Sequence, residues 1–220
     1  MTSHRADIRA LVRGIVLFSV AFAFVESSVV LYLRELYYPH GFSFPLSPIE
    51  PRHLIVEVCR ELATILMLIG AGWIAGTTPW QKTAWFMVSF GLWDIFYYVW
   101  LKIILDWPSS MFDWDVLFLV PVPWIGPVLA PVLISIILVT AGWLILRIEL
   151  SGRRFSAPQI AWWLAGLGTV VILYSFTSDF RATLEFQMPQ PYNYWLFASG
   201  VAVYAAAMIA SFRRKEENAG

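Results

Sequence analysis

Six stretches of this chain are long and apolar enough to cross a lipid bilayer, and that decides what it can fold into. They cover about residues 13–37, 53–76, 83–106, 122–146, 158–178 and 192–212. About 20 apolar residues in a helix span the ~30 Å hydrocarbon layer of a membrane. The stretches show no period-two alternation, and in lipid every backbone group must be satisfied within its own segment. Helices are therefore expected rather than barrel strands. In 220 residues the six passes leave no room for a soluble domain. The expected fold is all-α: a polytopic membrane protein, with residues 1–220 forming a single six-helix transmembrane bundle whose solvent is the lipid bilayer.

Composition agrees. The chain is 59% hydrophobic and 14% charged, against about 45–50% and about 25% for soluble domains. Twelve tryptophans fit a protein with two membrane interfaces to line. Net charge is zero and there is no long basic run, so no nucleic-acid partner is expected. The single cysteine, Cys59, excludes an internal disulfide and is read as a small core residue. Arg5, Arg9 and Arg13 followed by Ala21-Phe22-Ala23 look like a secretory signal with its cleavage site. The apolar run resumes at Val29-Val30-Leu31-Tyr32-Leu33, so one uncleaved span interrupted by Glu26, Ser27 and Ser28 is expected instead.

Positive charge sets the orientation. Arg5, Arg9 and Arg13 precede span one, and Lys82 lies between spans two and three. Arg147, Arg153 and Arg154 lie between spans four and five, and Arg213, Arg214 and Lys215 follow span six. Both termini are then cytoplasmic, in the cell (inner) membrane. Trp107, Trp114, Trp124, Tyr192, Tyr194 and Trp195 form an expected outer aromatic belt. Trp80, Trp85, Trp143, Trp162 and Trp163 form the inner one. Residues 111–120, apolar with Asp113 and Asp115, are expected along the outer interface. Pro127 and Pro131 each remove a backbone donor and are expected to kink or partly unwind the outer end of span four.

Intramembrane charge is the informative feature. Spans four to six carry none in their apolar stretches. Spans one to three carry Glu26, Arg34, His53, Glu57, Arg60, Glu61, Asp94 and Lys102. Each such group at mid-bilayer costs at least about 2.5–3.5 kcal/mol on insertion scales. Restriction to three neighbouring helices predicts one shared polar site. With a rise of about 1.5 Å per residue, Glu26, Glu61 and Asp94 fall about 15, 12 and 18 Å below the outer ends of their spans. Arg34, Glu57 and Lys102 fall shallower, and His53 sits at the mouth. The expected site is a funnel formed by Glu26, Glu57, Arg60, Glu61, Asp94 and Lys102, capped by the loop 35–52. Gly91, three residues before Asp94, would let another helix approach at that level. Tyr97 and Tyr98 would donate hydrogen bonds to the carboxylates.

Four acids (Glu26, Glu57, Glu61, Asp94) face three firm bases (Arg34, Arg60, Lys102). The surplus acid needs a proton, His53 or a bound cation, and a desolvated carboxyl beside others holds its proton more tightly. His53, Glu57 and Glu61, at i, i+4 and i+8, share one helical stripe. They form a candidate site for a divalent metal such as iron, manganese or zinc. The paired Glu-x-x-His pattern of di-iron bundles is absent. So are Gly-rich phosphate loops, His-Glu-x-x-His and G-x-S-x-G. Ala198, Ala202 and Ala206, with Gly70, Gly72, Gly166 and Gly168, read as close-packing positions within the chain or between copies of a homo-oligomer.

Three functions fit. The first is proton- or cation-coupled transport of a small solute, carried by the mid-depth carboxylates. The second is a membrane-embedded enzyme, metal-dependent or not, acting on a lipid or apolar substrate. The third is a structural or assembly subunit whose buried charges only pair helices.

Overall fold

The computed structural model describes the backbone of residues 2–213 and the side chains of residues 8–212. The side chains of His4, Arg5 and Arg213, and residues Arg214 and Lys215, lie outside the described residues. The order is α1 (Thr2–Tyr37), α2 (Pro51–Ala75), α3 (Pro79–Leu105), β1 (Trp114–Phe118), β2 (Trp124–Pro127), α4 (Leu129–Glu149), α5 (Gln159–Thr177), a short α6 (Phe180–Leu184) and α7 (Tyr194–Arg213). Five helical stretches are long and apolar enough to cross a membrane: Ile8–Tyr37, Pro79–Leu105, Leu129–Glu149, Gln159–Leu184 and Tyr194–Phe212. That makes the chain compatible with a multi-pass membrane protein.

The sequence of α2 explains its orientation. Its buried stripe is Glu57, Glu61, Thr64, Leu68 and Gly72, at helical spacing. Its outward face is apolar, with Leu66 67%, Trp73 65% and Ile74 88% exposed. A helix in water shows the opposite polarity. The helix is therefore charged within and apolar without.

The central element is α3, which packs against α1, α2 and α4, while α5 packs on α7. It begins with Thr78 as N-cap, whose side chain accepts from the Gln81 N–H, followed by Pro79 at the first helical position. Both choices suit a helix start. Glu149, at the end of α4, accepts from Thr78 Oγ1 (2.7 Å) and the Phe155 N–H (2.6 Å). It thereby ties the start of α3 to the α4–α5 turn. Ser19 and Ser89 Oγ atoms bond at 3.0 Å between α1 and α3. Trp100 Nε1 donates to the Val20 carbonyl at 3.0 Å across the same interface. Trp85 is fully buried in this core beside Ile15, Val88 and Leu146, so it packs helices together rather than joining an inner aromatic belt.

Close helix approach falls at particular glycines. A Cβ on Gly91 would lie 2.6 Å from the Ser135 carbonyl oxygen, and one on Gly142 2.7 Å from that of Ala84. These two residues seat α4 on α3. Gly72 and Gly168 are likewise pressed against α3 and α7, whereas Gly70 and Gly166 face open space. The Ala198, Ala202 and Ala206 stripe is exposed; α7 uses Phe197, Gly200 and Ala207 inward instead. Gly91→Leu is expected to destabilise the bundle by about 1–3 kcal/mol through overpacking. Gly166→Ala should be neutral or slightly stabilising, because Ala is the better helix former. Thermal unfolding of both variants in one detergent measures the contrast.

The departure from an all-helical fold lies between α3 and α4. Strands β1 and β2 pair antiparallel, with Trp114 opposite Pro127 and Val116 opposite Ile125. The span expected from residue 122 therefore begins as a helix only at Leu129. Pro127 ends β2, and Pro131 sits in the first turn of α4, where a missing N–H breaks no intrahelical bond. Of the two expectations, unwinding is the one met: the outer end of span four is unwound, into the second strand of the hairpin. Nor does the hairpin lie along a surface: Leu119, at its tip, donates its N–H to both oxygens of Glu61, at 2.9 and 3.2 Å. The tip residues Pro121 and Pro123 bring no N–H at all, which limits the donors a buried turn must satisfy.

The base of the hairpin is held by Asp113. Its Oδ2 accepts from Ser109 N (2.7 Å), Ser109 Oγ (2.8 Å) and Ser110 N (3.2 Å). Slight burial pushes this carboxyl up, but the Ser109 and Ser110 bonds outweigh it and hold it below the usual carboxylate range. A depressed carboxyl contributes stability above its unfolded value of about 3.9 and loses it as pH falls through the lower folded value. Amide exchange protection at Ser109 and Ser110 is thus expected to hold at neutral pH and vanish in acid below about pH 4. Asp113→Ala should already lack it at neutral pH.

Candidate functional site

Glu26, Glu57, Arg60, Glu61 and Asp94 line a single cavity of about 210 Å³ between α1, α2, α3, the hairpin and α4. Arg60 is its hub. It pairs with Glu26 of α1 and, through Nε, with Glu57 Oε2 at 2.9 Å. Glu26 also accepts from Thr64 Oγ1 at 3.1 Å. The spacing of residues 57, 60, 61 and 64 on α2 places all four on one side of the helix within about two turns, with Arg60 and Thr64 reaching Glu26 of α1. Both arms of the Arg60 guanidinium are thus committed to carboxylates.

Glu61 and Asp94 differ. Glu61, 8% exposed, accepts the Leu119 N–H described above. Asp94, 7% exposed, accepts from Ser135 Oγ at 2.8 Å, the residue that Gly91 allows to approach. Among the described residues neither carboxylate has an ion-pair partner within bonding distance. A charge this deeply buried is costly unless it is paired.

Lys102 does not join the cavity. It is half exposed and binds the Asp106 carboxylate at 2.7 Å and the Asp106 carbonyl at 3.3 Å. It stands in the last turn of α3, where a cation meets the helix's free carbonyls. The flexible stem carries the ammonium toward them and away from the interior. Its place is taken by an acid. Asp115, on β1, accepts from Arg34 Nη2 at 3.2 Å and from the Tyr98 hydroxyl at 3.1 Å. The Arg34 guanidinium lies 3.8 Å from the Trp107 ring centroid and 4.3 Å from that of Phe42. Sequence spacing placed Asp115 at an interface; its position inside a run of apolar residues preceding Pro121 was the available signal for an inward-facing strand.

His53 is held elsewhere. Its Nδ1 bonds the Tyr37 hydroxyl at 2.6 Å and lies 3.9 Å from Glu50. The first turn of α2 meets the end of α1 there, and this contact holds the imidazole away from Glu57 and Glu61. Among the described residues, no group of three or more His, Cys, Asp or Glu side chains is placed to hold a metal ion. The expected His53/Glu57/Glu61 set is therefore not assembled.

The remaining wall is apolar and aromatic. Phe90, Trp93, Tyr97, Phe118 and Trp124 surround the carboxylates, and Phe42, Leu46 and Ile49 of the loop after α1 close one end. The indole N–H groups of Trp93 and Trp124 are buried without an acceptor among the described residues. Arg34, Tyr38 and Phe42 also line a separate vestibule of about 530 Å³ with Glu35, Asp106 and Trp107. These three residues line both spaces, and the Arg34 guanidinium, packed on the Phe42 and Trp107 rings and paired with Asp115, stands where the two meet.

Chemically the cavity is an acid-rich site. Five carboxylates (Glu26, Glu57, Glu61, Asp94, Asp115) line it with two guanidiniums (Arg34, Arg60). It can hold protons or a cation, and its aromatic walls attract cations as well. No protein-family model, curated protein or solved structure matches this chain.

Proposed function

We propose that this chain is a six-pass protein of the cell membrane, with both termini cytoplasmic, that moves a small solute in exchange for, or together with, protons or another cation. One observation carries the reading: both cavity guanidiniums are already paired with other acids, while among the described residues Glu61 and Asp94 have no cation within ion-pair distance. A site of this composition is electrically complete only when it takes up protons or a cation.

The membrane part rests on polarity. Helix α2, with its inward charges and outward Ile74 and Trp73, is suited to a lipid solvent and is the sixth pass beside the five apolar helices. The basic residues Lys82, Arg147, Arg153 and Arg154 lie at one end of the bundle, and the hairpin loop with Asp106 and Asp113 at the other. The positive-inside rule places the former in the cytoplasm. Arg34, paired with Asp115, then stands on the outer side, where vestibule and binding cavity meet.

The test is reconstitution into liposomes enclosing a pH indicator. Protein-dependent proton movement, driven by a solute or cation gradient and lost in Asp94→Asn, is the expected result. Movement that is identical in Glu26→Gln, Glu61→Gln and Asp94→Asn overturns the reading. In that case the Arg60 contacts serve only to tie α1 to α2.

A further inference from the structure

A second cavity adjoins the first at Glu61. It has a volume of about 240 Å³ and is walled by Leu62, Ile65, Phe118, Val120 and Trp124. Glu61 and Trp124 also belong to the carboxylate cavity, so the two spaces share a boundary. The second lies between α2 and the hairpin tip, where Leu62 is half exposed on the outward apolar face of α2. It is therefore a side window toward the surface that the proposed function assigns to lipid. One chamber is acid-rich and aromatic; the next is apolar and lateral.

Each feature selects the same ligand chemistry. Arg34 and Arg60 are occupied, so among the described residues an anionic head finds no free cation lining the first chamber. Glu61 and Asp94 offer acceptors to an ammonium, and Trp93, Phe118 and Trp124 offer ring faces to it. Glu61 and Asp94 are 8% and 7% exposed and have no ion-pair partner among the described residues, so a cation completes the chamber. Apart from Glu61 at its inner boundary, the window is lined by apolar and aromatic side chains and suits hydrocarbon. We propose that the site binds an amphiphile with an ammonium head, seated against Glu61 and Asp94, and a single apolar chain that enters from the bilayer between α2 and the hairpin tip. This rests on the carrier reading above and names its solute class. Small ligands commonly occupy sites of about 300–1,000 Å³, a range that the joined chambers reach and the first alone does not.

The experiment uses the full chain in phosphatidylcholine nanodiscs and a dodecylamine bearing a diazirine near the end of its chain. After irradiation, peptide mapping is expected to find label on α2 around Leu62 and Ile65 and at Val120. The equivalent diazirine dodecanol should label these positions at least about tenfold less, because a charge-assisted hydrogen bond to a carboxylate is missing. Unlabelled dodecylamine should compete, whereas butylamine should compete far more weakly, since each buried methylene is worth about a factor of four in affinity. That arm separates a bilayer-borne amine from a small water-borne one. Ile65→Trp, which fills the window, should remove the label. Where that variant does not elute as folded protein, Val120→Phe fills the same space. Equal labelling by amine and alcohol, butylamine matching dodecylamine, or labelling that survives a filled window overturns the proposal. Proton movement driven by small cations in wild-type liposomes reads the carrier function separately. If that movement depends on Asp94 and the amine does not bind, only this inference falls.

Discussion

Arg60→Met is expected to lower the stability of the bundle by about 3–5 kcal/mol, the cost of leaving buried charges without their partner. The reason lies in how much meets at one guanidinium. Arg60 bonds Glu57 on its own helix and Glu26 on α1. These side chains are largely buried, so water cannot take over when the guanidinium is removed. Glu26 retains Thr64 as a donor, but Glu57 has no second cation within reach among the described residues. The two carboxylates must then either take up protons or repel one another. Direct packing between α1 and α2 is slight, and both lean on α3 instead. The ion pair is accordingly a principal tie between these two helices. The triple variant Arg60→Met with Glu26→Gln and Glu57→Gln removes the charges together and should recover most of the loss, because buried ion networks often exchange for neutral groups at little net cost. Unfolding in mixed micelles, followed by tryptophan fluorescence, measures all three. A single variant as stable as wild type would mean that water reaches this site and solvates the two carboxylates.

The helices were legible in the sequence because lipid-compatible length is a strong constraint, and each of the six long helices overlaps its expected stretch. Five of the six expected site residues line one cavity for a related reason. Past its first turn, α2 carries its charges on one apolar-flanked stripe, so helical spacing identifies their direction. Lys102 was placed in the site by depth alone. Depth does not record that a flexible four-carbon stem near a helix end turns toward the nearest free carbonyls and Asp106. The hairpin was not legible, since Trp124 to Pro127 is apolar and continuous with α4, and periodicity cannot separate a short apolar strand from the first turn of a helix. Three closely spaced prolines, Pro121, Pro123 and Pro127, were the sign that the helix had not yet begun. With the hairpin went Asp115, and with Asp115 the true charge balance. Exchanging Lys102 for Asp115 changes the cavity from four acids and three bases to five acids and two bases. This correction is what gives the cation reading its weight over simple pairing of helices.

Asp94→Asn and Glu61→Gln should each reduce cation affinity by about 10- to 100-fold, corresponding to the loss of one hydrogen bond to a charged group. The two are expected to differ in a second respect. Asp94 is bonded by Ser135 from α4, and the amide of Asn can still accept that hydroxyl. Its change removes charge and little else, so the folded protein should retain wild-type thermal stability. Glu61 instead receives the Leu119 N–H at the hairpin tip. Gln can accept this bond too, but as a neutral acceptor it holds the tip less firmly. Amide exchange at Leu119 should therefore quicken in Glu61→Gln and stay unchanged in Asp94→Asn, while both lose cation binding. Calorimetric titration paired with exchange mass spectrometry distinguishes the two effects. A loss of binding accompanied by faster exchange in both variants would show that the carboxylates act by holding the hairpin in place. If Asp94→Asn instead binds as wild type does, Asp94 is a packing residue paired with Ser135, and the cation is held by Glu61 and its neighbours on α2.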